Sequence, residues 1–67
     1  MTVFNQIKGT LEQIGAANVF AFPGFISAEW PTREVAQVAA DNMNKIGFTG
    51  THVREVEGTF YSVWEQE

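Results

Sequence analysis

The run TREVAQVAADNMNKIGF, Thr32 to Phe48, decides the fold, because its start, its inner face and its end can all be read. Thr32 is placed to act as an N-cap: its hydroxyl can accept a hydrogen bond from one of the first helical N–H groups, which have no partner inside the helix. Val35, Ala39, Met43 and Ile46 recur at intervals of four, four and three, which lines them up along one side of a helix. Gly47 can take the left-handed conformation that ends a helix. Phe48 follows where a Schellman cap wants an apolar residue reaching back to Met43. The pattern predicts a helix over 33–46, with Val35, Ala39, Met43 and Ile46 turned inward.

Upstream, Thr2 can cap a first helix over 2–14, whose stripe is Val3, Ile7, Leu11 and Ile14 with Phe4 beside it; Gly15 stops it. Asn18 to Phe22 is short, β-prone and bounded by turn residues, which reads as a strand. Pro23-Gly24 suits the centre of a type II turn, proline presetting the first φ and glycine accepting the positive second one. Phe25 to Glu29 then returns as a second strand or leads irregularly into Pro31, which biases Trp30 towards extended geometry. Downstream, Thr51 to Glu57 and Thr59 to Glu65 read as a terminal hairpin turning at Glu57-Gly58. The expected fold is α+β, as one domain over 1–67: two amphipathic helices on one face of a small, largely antiparallel sheet of three or four strands, with a C-terminal β-hairpin.

A 67-residue chain without cysteine has neither disulfides nor a thiolate metal site to reinforce its core, and its single histidine cannot build a zinc site. Apolar packing must hold it together, and nine aromatic residues (six Phe, two Trp and one Tyr) are available for that. No basic-then-apolar leader and no run long enough to span a bilayer is present, so a cytoplasmic chain off the membrane is expected. The net charge is −4, concentrated where Glu55, Glu57, Glu65 and Glu67 face Arg54 alone. Four cations in all make a poor patch for displacing counterions from phosphate, which argues against nucleic acid as the partner.

No constellation points to catalysis. On a strand, His52 shares a face with Arg54 and Val56 while Glu55 and Glu57 point away, so no carboxylate orients its ring. Neither Ser27 nor Ser62 sits in a nucleophile elbow. Asp41-Asn42-Met43-Asn44 fails as a calcium loop, because Met43 and Lys45 would occupy ligand positions. No catalytic residue, metal ligand or cofactor-binding motif is therefore expected.

Ile46-Gly47-Phe48-Thr49-Gly50-Thr51-His52-Val53-Arg54-Glu55-Val56 resembles the I-G-x-x-G-x-x-[I/V]-[K/R]-x-[I/V] signature of KH-type RNA-binding domains, over eleven residues of the chain. The resemblance implies a GxxG loop between two helices that grips a nucleic-acid backbone, with Gly47, Gly50 and Arg54 as the contacts and residues 51–57 helical. Phe48 and Thr49 stand where that family favours a basic residue. Read from the residues alone, Gly47 caps the helix and Gly50 eases a turn into a strand. A winged helix-turn-helix, with 33–46 as reader and the terminal hairpin as wing, would offer only Arg33 and Lys45 at opposite ends of the reader.

The aromatic surplus is the most informative feature. Phe20 and Phe22 fall on one face of their strand, with Val19 and Ala21 on the other; Phe60 and Trp64 oppose Tyr61 and Val63 in the last strand. A sheet with one wet face should alternate apolar with polar, and here both faces are apolar. Apolar aromatic patches mark protein interfaces. The leading expectation is a small acidic, non-enzymatic protein-interaction module of the accessory or inhibitor type. It would bind a protein partner or a second copy through Phe20, Phe22, Phe25, Trp30, Tyr61 and Trp64. The competing readings are a nucleic-acid domain and a core that absorbs every aromatic.

Overall fold

In a computed structural model, which describes residues 3–66, the elements run α1 (Val3–Gln13), β1 (Ala17–Phe22), β2 (Phe25–Trp30), α2 (Arg33–Lys45), β3 (His52–Val56) and β4 (Thr59–Glu65). The strands form one antiparallel sheet in the order β1-β2-β4-β3. Two helices and a four-stranded antiparallel sheet make this a small α+β fold. The proposed cap at Thr2 lies outside the described residues.

The ends of α2 follow from its sequence. Thr32 Oγ1 accepts from the Val35 N–H at 3.2 Å. At the other end Phe48 N–H donates to Met43 O at 2.9 Å and Gly47 N–H to Asn44 O at 3.4 Å, with Gly47 at φ +119°, which is the Schellman pattern. The inner stripe differs from the expected one. Ala36, Ala39, Ala40 and Met43 are buried, whereas Val35 is 39% and Ile46 62% exposed. The helix is turned so that its small residues face the sheet. Bulky strand residues fill the space between the layers, and a close helix needs alanine there. In α1 the middle of the stripe is correct: Ile7 and Leu11 are buried, but Val3 and Ile14 are exposed.

Both helices cover the same face. α1 rests on β1, and α2 lies across β4, β3 and β2. Under them Ile26, Ala28 and Trp30 of β2 pair across with Trp64, Ser62 and Phe60 of β4. Together with Val19, Ala21 and Val53 these residues pack against Ile7, Leu11, Ala36, Ala39 and Met43. The strand β2 runs one residue further than expected, through Trp30, because the proline that follows favours extended geometry in the residue before it. That extra residue puts Trp30 inside the core at 3% exposure, where its indole Nε1 donates to the Ser62 hydroxyl at 2.9 Å. Ser62 is itself fully buried and turns its own proton to Met43 Sδ at 3.9 Å.

Turns fix the registers. Gly24 has φ +94° after Pro23, as the type II reading requires, and its carbonyl accepts from Gln66 N–H at 2.8 Å. The β3–β4 loop is Glu57-Gly58, with φ +50° and +81°; two positive φ values in a two-residue loop define a type I′ hairpin turn. Asn18, at φ +45°, marks an irregularity where the β1–β2 register shifts between Ala17 and Phe20. At the start of α2, Arg33 pairs with Glu55 and lies 5.2 Å above the Phe60 ring. Both partners of that pair are exposed, so the contribution is small.

Candidate functional site

Side chains alternate across a strand, so the residues opposite the covered face are fixed by the pairing. One cross-strand row is Phe22, Phe25 and Glu65; the next is Phe20, Ser27, Val63 and His52; a third joins Glu29, Tyr61 and Arg54; Thr59 and Val56 close the far end. No described helix covers these rows. Phe20, Phe22 and Phe25 are 54%, 57% and 39% exposed, and they meet at the β1–β2 hairpin. Tyr61 is half-buried, and Val63, between Ser27 and His52, is only 4% exposed. The face therefore has a ridge of three phenyl rings along one side and short side chains, Ser27 and Val63, in its middle.

Its charged side chains bond within the chain, and with Glu29 and Glu65 against Arg54 the face keeps a net negative charge. Glu29 accepts from Asn18 Nδ2 at 3.2 Å, and Arg54 lies 3.5 Å from Glu65. His52 is exposed, with Nδ1 3.1 Å from the Gly50 carbonyl oxygen. Among the described residues no group of three or more His, Cys, Asp or Glu is placed to hold a metal ion.

Of the six aromatic residues expected at an interface, Phe20, Phe22, Phe25 and Tyr61 share this face. Trp30 does not, being core. Trp64 lies on the helix-covered side, half-buried, its ring edge-on to Phe48 at 5.0 Å and 70°; Phe48 in turn stands 6.4 Å from Phe4. Trp64 also lines an open recess with Gly47, Thr49, Gly50, His52, Glu65 and Gln66. Val63 and Glu29 belong to the open face without having been singled out, and Ser27 and Arg54 belong to it without having been expected at a protein interface. Alternation along a strand over Phe25–Glu29 is the signal that would have found Ser27 and Glu29, since it puts both on the face of Phe25.

The Gly47–Gly50 loop is not the one a KH domain needs. It leads from α2 into β3, and residues 52–56 pair antiparallel with β4 instead of forming a helix. Asn44 closes the loop on itself: its Oδ1 accepts from Gly50 N–H at 2.7 Å, and its Nδ2 donates to Ala40 O at 3.0 Å and Thr51 O at 2.9 Å. Thr51, buried beneath, donates its hydroxyl to Phe48 O at 2.6 Å. The Gly47 and Gly50 N–H groups that would face a phosphate are thus spent inside the protein, and Arg54 sits on the sheet face beside Glu65. A winged arrangement fails too, because the hairpin is built into the sheet, with β4 between β2 and β3. Among the described residues no helix is long and apolar enough to cross a membrane. No protein-family model, curated protein or solved structure matches the chain.

Proposed function

We propose that this chain is a non-enzymatic interaction module of the cytoplasm that docks on protein through its open sheet face. Phe20, Phe22 and Phe25 are the anchors, with Tyr61 beside them. The observation that carries the reading is the exposure of three phenyl rings on one uncovered face while the core beneath α2 is lined by alanines. Large aromatic side chains left in water cost free energy that burial against a partner returns, and such residues dominate interface energetics. The charge pattern favours protein over nucleic acid. Single-strand binders combine stacking rings with cations that follow the backbone, whereas Arg54 is already matched by Glu65 on this face and Glu29 lies in the same row. An accessory or inhibitory role, in which a small chain covers part of a larger assembly, suits this design.

The test is capture on the immobilised chain from extract of its native cell, comparing wild type with the double variant Phe20→Thr/Phe22→Thr. Threonine keeps the strand preference while removing the rings. The captured protein should be lost with the double variant, whose circular dichroism stays that of the parent. An unchanged set of captured proteins would refute the reading.

A further inference from the structure

Resting on that reading of the face, we infer that the part of the partner protein reaching Phe20 and Phe22 is an extended strand, apolar with a lysine or arginine at one end, which adds to the free edge of β1. The sheet order leaves β1 and β3 as its two edges, and they are not alike. β3 carries Arg54 and Glu55, charged side chains of the kind that keep an edge from pairing. β1, Ala-Asn-Val-Phe-Ala-Phe, has no charged residue and no proline.

Which backbone groups of β1 point outward follows from its turn. The Gly24 carbonyl accepts from Gln66 N–H, so Gly24 is turned towards β4. Backbone direction alternates along a strand, which turns Phe25 towards β1 and its partner Phe22 towards β2. Phe20 follows Phe22. Val19 and Ala21 are left with N–H and C=O directed out from the edge, one donor and one acceptor each. The irregularity at Asn18 lies before this run, and the register from Phe20 to Phe22 is unbroken.

α1 gives this edge a roof. Phe4 stands 6.4 Å from Phe48, whose ring meets Trp64 of β4, so Phe4 marks the flank of α1 turned to the middle of the sheet. With about 3.6 residues per turn, Leu11 and Ile7 come next round the helix and are buried. Val3 and Ile14 stand on the flank beyond them, roughly a quarter-turn from Phe4. Because α1 rests on the outermost strand, that flank overhangs the free edge, and both residues are exposed, at 56% and 57%. A strand added to β1 covers them with the side chains of one face and lies beside Phe20 and Phe22 with those of the other.

Charge sets the end residue. Glu29 and Glu65 against Arg54 leave the open face net negative, and Arg54 lies 3.5 Å from Glu65. Glu29 accepts only from the neutral amide of Asn18 among the described residues. Ala17 is the residue of β1 opposite Glu29. A residue added beside Ala17 is two strand spacings, about 10 Å, from Glu29. Only the alanine methyl lies between, so the long side chain of a lysine or arginine there meets the carboxylate.

Nuclear magnetic resonance titration with amide exchange tests this on the isotope-labelled chain. The probes are N-acetylated hexapeptide amides, Val-Thr-Val-Thr-Val-Lys and Lys-Val-Thr-Val-Thr-Val for the two strand directions, each with a glutamate-for-lysine and a central-proline counterpart. The lysine peptide of one direction should slow exchange at the Val19 and Ala21 amides and leave that at Phe20 and Phe22, already turned to β2, unchanged. Its proline counterpart should bind ~10-fold or more weakly. The same loss is expected for the lysine peptide on Ala21→Pro, which removes an outward N–H where an edge strand accepts proline. The proline peptide decides where Ala21→Pro does not fold. The glutamate counterpart should bind roughly 3-fold or more weakly at low salt, a difference that Glu29→Gln removes.

No binding of either lysine peptide at millimolar concentration overturns the added strand, as does equal binding of the proline peptide. Protection of the Val19 and Ala21 amides that grows with chain concentration and needs no peptide means that a second copy pairs there, and it overturns the partner's strand as well. Capture from extract separates this inference from the reading beneath it. Capture lost in Phe20→Thr/Phe22→Thr and kept in Ala21→Pro overturns the strand and leaves the docking face. Capture that ignores both rings overturns the face itself.

Discussion

Replacing Ser62 by alanine removes a single oxygen atom from the protein, and the structure says that this atom matters. Ser62 Oγ is the acceptor for the indole N–H of Trp30 at 2.9 Å, in a place where neither residue reaches water. In the Ser62→Ala protein that N–H is buried without an acceptor, since the neighbour on the other side of the hydroxyl is Met43 Sδ, bonded to Ser62 and not to Trp30. A buried donor left unpaired costs about 1–3 kcal/mol. At roughly 1 kcal/mol for each 4–8 °C in a domain of this size, the midpoint of thermal unfolding should fall by on the order of 10 °C. Trp30→Phe removes the donor instead and leaves a small void. The double variant Trp30→Phe/Ser62→Ala removes donor and acceptor together, so it should be less damaged than the two single losses combined, with a coupling of about 1–2 kcal/mol.

Urea unfolding followed by far-ultraviolet circular dichroism reads this cycle without relying on the fluorescence of a tryptophan that is itself changed. The four proteins should differ in midpoint and share one slope. All must be compared at one chain concentration, because association of the folded state adds to apparent stability. A Ser62→Ala protein within about 0.5 kcal/mol of wild type, with no coupling to Trp30→Phe, would refute the argument. It would mean that the indole is not held as a core residue, and would reopen Trp30 as a surface group.

Two further substitutions test the loops. Asn44→Ala deletes the two hydrogen bonds that hold Gly50 and Thr51 to the end of α2, together with one to Ala40 O inside the helix, and should cost about 2 kcal/mol in urea unfolding; an unaffected midpoint would show that the loop is not tied there. Glu57 is a non-glycine residue at φ +50° in a type I′ turn, so Glu57→Asn, which suits that conformation, should raise stability by about 0.5–1 kcal/mol. A loss of stability in its place would contradict the turn assignment.

What could be read in the sequence was local. The cap at Thr32, the Schellman ending at Gly47-Phe48 and the turns at Pro23-Gly24 and Glu57-Gly58 each rest on a few neighbouring residues, and each forms as expected. The assignment of Phe20 with Phe22, and of Tyr61 with Val63, to single strand faces also held, because alternation needs only the strand itself. The inner stripe of α2 did not. Periodicity weighs residues by how apolar they are, so it selects Val35 and Ile46 over Ala36 and Ala40. The helix is oriented by the space above a sheet that carries Trp30 and Trp64, and that space admits alanine.

The same limit explains why the sequence left open which aromatics are free. Both faces of the sheet are apolar, and two helices of this length can cover only one. The choice depends on the order β1-β2-β4-β3, which places Trp30 across from Phe60 and next to Ser62. No neighbour in sequence encodes that pairing; Trp30 and Ser62 are 32 positions apart. Once it forms, the serine supplies the acceptor that a buried indole needs, and the face holding both residues becomes the one the helices can cover at least cost. Among the described residues, the face with three phenylalanines has no buried polar side chain that needs a helix over it, so the helices leave it open.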